Sequence, residues 1–114
     1  DISLVKRMYI IENVDMVFIR CWQGHKIEQR WFTAVVGKFK IGLIKIDNWE
    51  NPSKKLKKIT FEISSKNLDL LHIPEGHVSS IQSMTKSSKL LVMADYKLGD
   101  VNDDYKYSSD YFTE

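Results

Sequence analysis

The sequence predicts an all-β domain, folded as a sandwich or a closed barrel. Three observations carry that reading. Apolar and polar residues alternate with a period of two along several short runs, no segment sustains a helical stripe, and the runs recur at hairpin spacing between turn-forming residues.

Taken in order, the first runs are Met8-Tyr9-Ile10-Ile11 and Met16-Val17-Phe18-Ile19, separated by the turn-prone Asn13 and Asp15. Two apolar stretches follow, Trp31 to Val36 and Phe39 to Ile46, meeting at Gly37. The second opens by alternating Phe39, Ile41 and Leu43 with Lys38, Lys40 and Gly42, which predicts a hairpin with one face in a core and its turn at Gly37. Asp47 to Lys55 carries Asn48, Asn51, Pro52 and Ser53 and reads as a loop. Ile59, Phe61 and Ile63 alternate with Lys58, Thr60 and Glu62 as a half-buried strand does. Leu68 to Ile73 is another strand, stopped by Pro74 and Gly76, and Leu90 to Tyr96 is the last apolar run. From about Lys97 a polar, acidic tail carries Tyr105, Tyr107, Tyr111 and Phe112, as expected of a strap over the barrel or a contact between subunits. There is no internal repeat, and residues 1–114 read as one domain with a single core.

Composition narrows the classes. The chain is 43% hydrophobic and 28% charged, ordinary for a globular domain, and its net charge of +2 is carried by scattered lysines. Nucleic acid is therefore not an expected partner. No apolar run is long enough to span a membrane, so a membrane is not expected either. The chain opens at Asp1 rather than Met, as expected where a few residues have been trimmed, and shows no signal-peptide pattern. Its single cysteine, Cys21, leaves no internal disulfide, and a cytoplasmic location is the expectation.

The run from Arg20 to Phe32 holds most of the chemistry. It puts His25 among the cations Arg20 and Lys26, the amides Gln23 and Gln29, and Trp22 and Trp31, at the entrance to a strong β segment. Read together with Pro74-Glu75-Gly76-His77-Val78-Ser79, this layout resembles a cupin, the double-stranded jelly-roll barrel. The first cupin motif is His-x-His, then a Glu, then a Gly; the second is Pro-x-Gly-x-x-His. The matching positions here read Gln23-Gly24-His25, Gln29 and Gly37, then Pro74, Gly76 and Ser79. The turn-shaping residues are kept, but among the usual metal-ligand positions only His25 offers a good donor. Amides and hydroxyls do not hold a first-row metal, so neither a metal nor another cofactor is expected.

A closer resemblance covers nearly the whole chain. Arg20 to Phe32, Asp47 to Lys54, Leu71 to Gly76, Ser88 to Val92 and Asp103 to Tyr107 are similar to the sugar-nucleotide 3,4-ketoisomerases, the WxcM-like group of cupins. That resemblance implies a metal-free homodimer acting on dTDP-4-keto-6-deoxyglucose and supplying precursors of surface-glycan sugars. The family pattern is Arg-Gly-x-His-x-His-Lys, with histidines transferring protons. This sequence keeps Arg20, His25 and Lys26, and departs from it with Cys21 for the glycine, Gln23 for the first histidine and Ser79 for a further histidine.

Such a reaction suits these residues. A neutral imidazole can take a proton from carbon 3 and deliver one to carbon 4, which makes His25 the candidate base. Gln23, Gln29 or Lys26 could stabilise the enolate, Arg20 matches a diphosphate, and Tyr9, Trp22 or Trp31 could stack on the base or the sugar. Ser79 and His72 complete the candidate binding set, although His72 shares a face with Leu68 and Leu70 and reads equally as a core histidine. His77 reads as an exposed turn residue, Lys54, Lys55, Lys57 and Lys58 as a solvated strand edge, and Cys21 as a thiol with nothing to orient it as a nucleophile. Two alternatives stand beside the isomerase: a non-catalytic cupin that binds a sugar nucleotide as a partner or regulatory module, and a related 3,5-epimerase.

Overall fold

Strands with one apolar face need a second layer to cover it, and here two antiparallel sheets cover each other. The computed structural model describes residues 2–13 and 15–113; Asp1, with the expected trimmed start, and the last tail residue lie outside the described residues. A short 3-10 turn, Ile2–Leu4, precedes β1 (Arg7–Asn13), β2 (Ile19–His25), β3 (Arg30–Val36), β4 (Lys38–Lys45) and β5 (Lys58–Ser64). Then come β6 (Leu71–Ile73), β7 (His77–Ser83), β8 (Ser88–Ala94) and the two-residue β9 (Tyr105–Lys106). One sheet has the order β1-β8-β3-β6 and the other β5-β4-β7-β2-β9. The chain crosses between sheets at most connections, which is the jelly-roll arrangement of a cupin-type barrel.

The main core lies between the sheets. Phe39, Ile41, Leu43, Ile63 and Ile81 from one meet Ile11, Phe32, Ala34, Ile73, Leu90 and Val92 from the other. A second, smaller cluster forms on the outer face of the five-stranded sheet, where Trp22, Ile44, Ile46 and Val78 are covered by Trp49, Leu56, Tyr107 and Phe112. The tail makes that cover. Tyr107 and Trp22 exchange two backbone hydrogen bonds, of 2.9 and 3.1 Å, and Thr113 N–H donates to the Lys54 carbonyl at 2.7 Å. The Tyr107 and Tyr111 hydroxyls donate to the carbonyls of Trp49 and Pro52, each at 2.6 Å.

Four expectations change. Gly37 does turn the chain, with φ of +82°, but β3 and β4 lie in different sheets rather than in one hairpin. A side chain at Gly37 would collide with Thr85 and Ser88, so the crossing itself requires glycine. Met16, Val17 and Phe18 are exposed and precede β2, which begins only at Ile19. Leu68, 87% exposed and in the left-handed region, lies outside β6. β7, not read from the sequence, is a central strand between β4 and β2.

Candidate functional site

Between the sheets lies a cleft of about 560 Å³, its open mouth included. Ile11, Phe32, Ile73, Ile81 and Val92 form its apolar part; Tyr9, Arg20, Gln23, His25, Glu28, Arg30, His77 and Ser79 supply its polar groups. Gln23 and His25 are two apart on β2 and therefore share a face. Arg20 has the opposite parity. It reaches the same cleft because the pairing of β2 with β7 shifts register between Arg20 and Gln23, as an inserted residue does. Gly24, between them, lies so close to the His77 carbonyl and Val78 that a Cβ would not fit, which holds β2 tightly against β7.

His25 is buried, 9% exposed, and its Nδ1 lies 3.0 Å from the Asp103 carbonyl oxygen. A carbonyl only accepts, so Nδ1 carries the hydrogen and donates it, leaving the Nε2 lone pair available. Burial, and then the Arg30 charge, push the imidazole pKa below its ordinary value against the opposing pull of Glu28 and Asp103. His25 is therefore neutral at physiological pH and equipped to accept a proton.

Asp103 fixes the turn that follows. Its carboxylate accepts the backbone N–H groups of Lys26, Ile27 and Glu28, each at 2.8 Å, so the tail closes the β2–β3 connection while its carbonyl holds His25. Glu28 in turn faces two guanidinium groups, Arg30 Nη2 at 3.2 Å and Arg7 Nη2 at 3.7 Å from its Oε1. Arg30 Nη1 donates to the Tyr9 hydroxyl at 2.7 Å, and both arginines lie against the Tyr9 ring. Arg30 Nε is buried without a hydrogen-bond partner among the described residues.

The cupin resemblance raises the question of a metal. His25, Glu28 and Asp103 each offer a ligand atom within 4.8 Å of one another. The two carboxylates are nevertheless committed, Asp103 to three N–H groups and Glu28 to two cations, which leaves Nε2 of His25 as the one free donor of the set. A divalent cation would also stand beside Arg30 and Arg7, so this set does not fit one.

Of the residues singled out in the sequence, the structure brings Tyr9, Arg20, Gln23, His25 and Ser79 into one cleft. Gln23 Nε2 donates to Asp104 Oδ1 at 2.8 Å, and Ser79 pairs with Gln23 in register. Lys26, Gln29, Trp31 and His72 stand elsewhere. The Lys26 side chain is exposed. Trp31 stacks on His72, ring centroids 5.3 Å apart, and His72 Nε2 donates to Gln29 Oε1 at 2.7 Å. Phe32 takes the core side of β3, and strand alternation sends Trp31 with its paired His72 to the other face; His72 is thus exposed rather than core. His77, read as an exposed turn residue, is half-buried and begins β7 directly opposite His25. Its Nδ1 lies 3.0 Å from the Pro74 carbonyl, so its Nε2 is also left available. Burial raises the Cys21 thiol pKa, against the opposing pull of Lys58, and the thiol packs beside the outer cluster away from the cleft.

Glu28, Arg30 and Asp103 were not singled out in the sequence. Glu28-x-Arg30 at the start of an apolar run was a legible signal, since two charges on one face of an otherwise apolar strand need a reason. Asp103 carried no local signal.

Fold and cleft together define a cupin-type barrel with a cleft between its sheets. No protein-family model and no curated protein matches the sequence. Among solved structures, the chain is similar to a variant of the sugar 3,4-ketoisomerase QdtA from Thermoanaerobacterium thermosaccharolyticum in complex with TDP-4-keto-6-deoxyglucose. The TM-score is 0.71 at 23% identity, covering 95% of this chain and 70% of that one. It is likewise similar to a 3,4-ketoisomerase from Helicobacter canadensis, with TM-score 0.72, 18% identity, and coverage of 95% and 73%. The dTDP-4-dehydrorhamnose 3,5-epimerase from Bacillus anthracis, with TDP and PPi bound, gives TM-score 0.69 at 12% identity over 94% of this chain. The chain spans only 57% of that epimerase. At these identities the likeness establishes the fold.

Proposed function

We propose that this protein is a metal-independent isomerase of a nucleotide-linked 4-keto-6-deoxy sugar, moving the carbonyl from carbon 4 to carbon 3. The observation that carries this reading is His25: neutral, buried, fixed through Nδ1 and presenting Nε2 in the cleft between the sheets. Nε2 removes the carbon 3 proton, the freed electron pair forms the C3=C4 bond, and the carbonyl oxygen at carbon 4 takes the negative charge. The carbon 3 hydroxyl proton passes to that oxygen and carbon 4 is protonated, which leaves a ketone at carbon 3 and a hydroxyl at carbon 4. His25, carrying the abstracted proton at Nε2, is placed to return it to carbon 4. Arg20 is the diphosphate partner, because its planar fork matches phosphate oxygens. The barrel's likeness to enzymes held with TDP or a TDP-sugar supports a dTDP-linked substrate. A cytoplasmic homodimer supplying surface-glycan precursors completes the reading.

One observation favours a second reading, a non-catalytic sugar-nucleotide binder. Gln23 and Ser79 face each other where the resembling family carries histidines, and neither transfers a proton at neutral pH.

Incubation with dTDP-4-keto-6-deoxyglucose in D₂O, followed by NMR, separates the readings. A 3-keto product with deuterium at carbon 4, and deuterium at carbon 3 of the recovered 4-keto sugar, is the expected result. Exchange at carbons 3 and 5 without carbonyl migration indicates an epimerase. Bound-state signals without exchange indicate a binding module. His25→Asn should lower turnover on the order of 10²-fold or more while sparing nucleotide binding; unchanged turnover rejects His25 as the base.

A further inference from the structure

We propose that Arg30 is the oxyanion-binding residue of this site, its Nε–H donating to the carbonyl oxygen of the keto sugar as that oxygen becomes negative. This rests on the isomerase reading and adds the group that reaction requires beyond a base. Arg30 opens β3, is 8% exposed and lines the same cleft as His25. Its guanidinium is held at two corners, Nη1 by the Tyr9 hydroxyl and Nη2 by Glu28, while Nε has no partner among the described residues. A buried donor on a charged group is costly to leave unmade, so an orphan in a ligand cleft marks the place of an acceptor that arrives with the ligand.

The other donors suggested by the sequence are occupied or absent. One N–H of the Gln23 amide is spent on Asp104, and Gln29, whose oxygen accepts from His72, and the exposed Lys26 lie outside the cleft. A guanidinium also has the right chemistry, since it keeps its proton throughout and stabilises the oxyanion without protonating it. When the carbon 3 proton moves to His25 Nε2 and the C3=C4 bond forms, the charge appears on the oxygen at carbon 4. Arg30 is positioned by Tyr9 and Glu28 before substrate arrives.

The test compares wild type with Arg30→Lys on dTDP-4-keto-6-deoxyglucose, reading kcat, KM and carbon 3 exchange in D₂O. Lysine keeps the charge but cannot hold Tyr9 and Glu28 while offering a third, fixed N–H. Expected is a loss in kcat on the order of 10²–10³-fold with KM changed only a few-fold, and partial rescue of Arg30→Ala by added guanidinium. An active wild type with Arg30→Lys within a few-fold of it overturns the role of Arg30 and leaves the isomerase reading standing. A wild type that neither exchanges nor binds this substrate overturns the isomerase reading, and the Arg30 role falls with it. Should the variants not fold, ¹⁵N spectra of wild type decide the matter. The Arg30 Nε–H signal should shift when the keto sugar nucleotide is added, and a signal unmoved at saturation overturns the proposal.

Discussion

His25 owes its chemistry to surroundings that pull opposite ways. Burial and the Arg30 charge favour the neutral ring, whereas Glu28, Asp103 and the hydrogen bond from Nδ1 to the Asp103 carbonyl favour the cation. The first pair wins, so the folded imidazole titrates below the value of about 6.5 expected for an unfolded chain. As the pH falls, the unfolded chain therefore binds this proton first. The stability that comes from a neutral His25 is complete above about pH 6.5, declines between that pH and the folded pKa, and is gone below it. An NMR titration of the His25 ring should show a midpoint under 6.5, and the acid limb of kcat/KM should follow it. Glu28→Gln removes a charge that holds the pKa up, so the midpoint should move lower still. A midpoint at or above 6.5 in wild type would contradict the buried, Arg30-facing placement.

At the scale of elements, the tail is the piece whose purpose is least evident until it is seen docked. Residues 103–113 close the His25 turn, pair β9 with β2 and cover Trp22, Ile44, Ile46 and Val78. Phe112 meets Trp22 edge to face at 5.5 Å. Phe112→Ala should therefore destabilise the fold by about 2 kcal/mol, less than a full core truncation because Phe112 is only half-buried. Tyr107→Phe should cost about 1 kcal/mol through the hydrogen bond to the Trp49 carbonyl. Urea midpoints measure both, and losses within error for both would mean that the tail does not hold the outer cluster. The same elements explain what could be read beforehand. β5 was legible as a strand from its alternation, but it is not half-buried as expected, since only Ile63 is covered while Ile59 and Phe61 are 52% and 37% exposed; the later half of β4 turns apolar on both faces because Ile44 and Ile46 are covered in the outer cluster. β7 escaped because Ser79, Ser80, Gln82 and Ser83 hide a central strand behind polar residues. In the site, Arg20, Gln23 and His25 were visible as a cluster in one run. Asp103 was not, because it lies 75 residues beyond the Glu28 N–H that it accepts, and no local pattern encodes such a pairing.

On the scale of the whole molecule, the edge of the four-stranded sheet is the part left unfinished. β1 pairs with β8 on one side only, and its outward residues Met8 and Ile10 are 63% and 51% exposed. Val17 and Phe18, just beyond it, are 86% and 56% exposed. Edge strands of soluble barrels are ordinarily blunted by lysine, proline or a bulge, and β1 has none of these along Arg7–Asn13. Two copies joined antiparallel along β1 would fuse two four-stranded sheets into one and cover these side chains, the simplest closed arrangement of identical chains. Tyr9 lies on the same strand but faces the cleft, where it holds Arg30, so the state of this edge reaches the site. Sedimentation equilibrium should accordingly give twice the 13.3 kDa of one chain, and Met8→Glu combined with Ile10→Glu should return it to 13.3 kDa. Ligand binding should weaken in that monomer if the edge supports Tyr9 and Arg30. A wild type that stays at the mass of a single chain over the whole concentration range would leave β1 a bare edge and remove the homodimer from the functional reading.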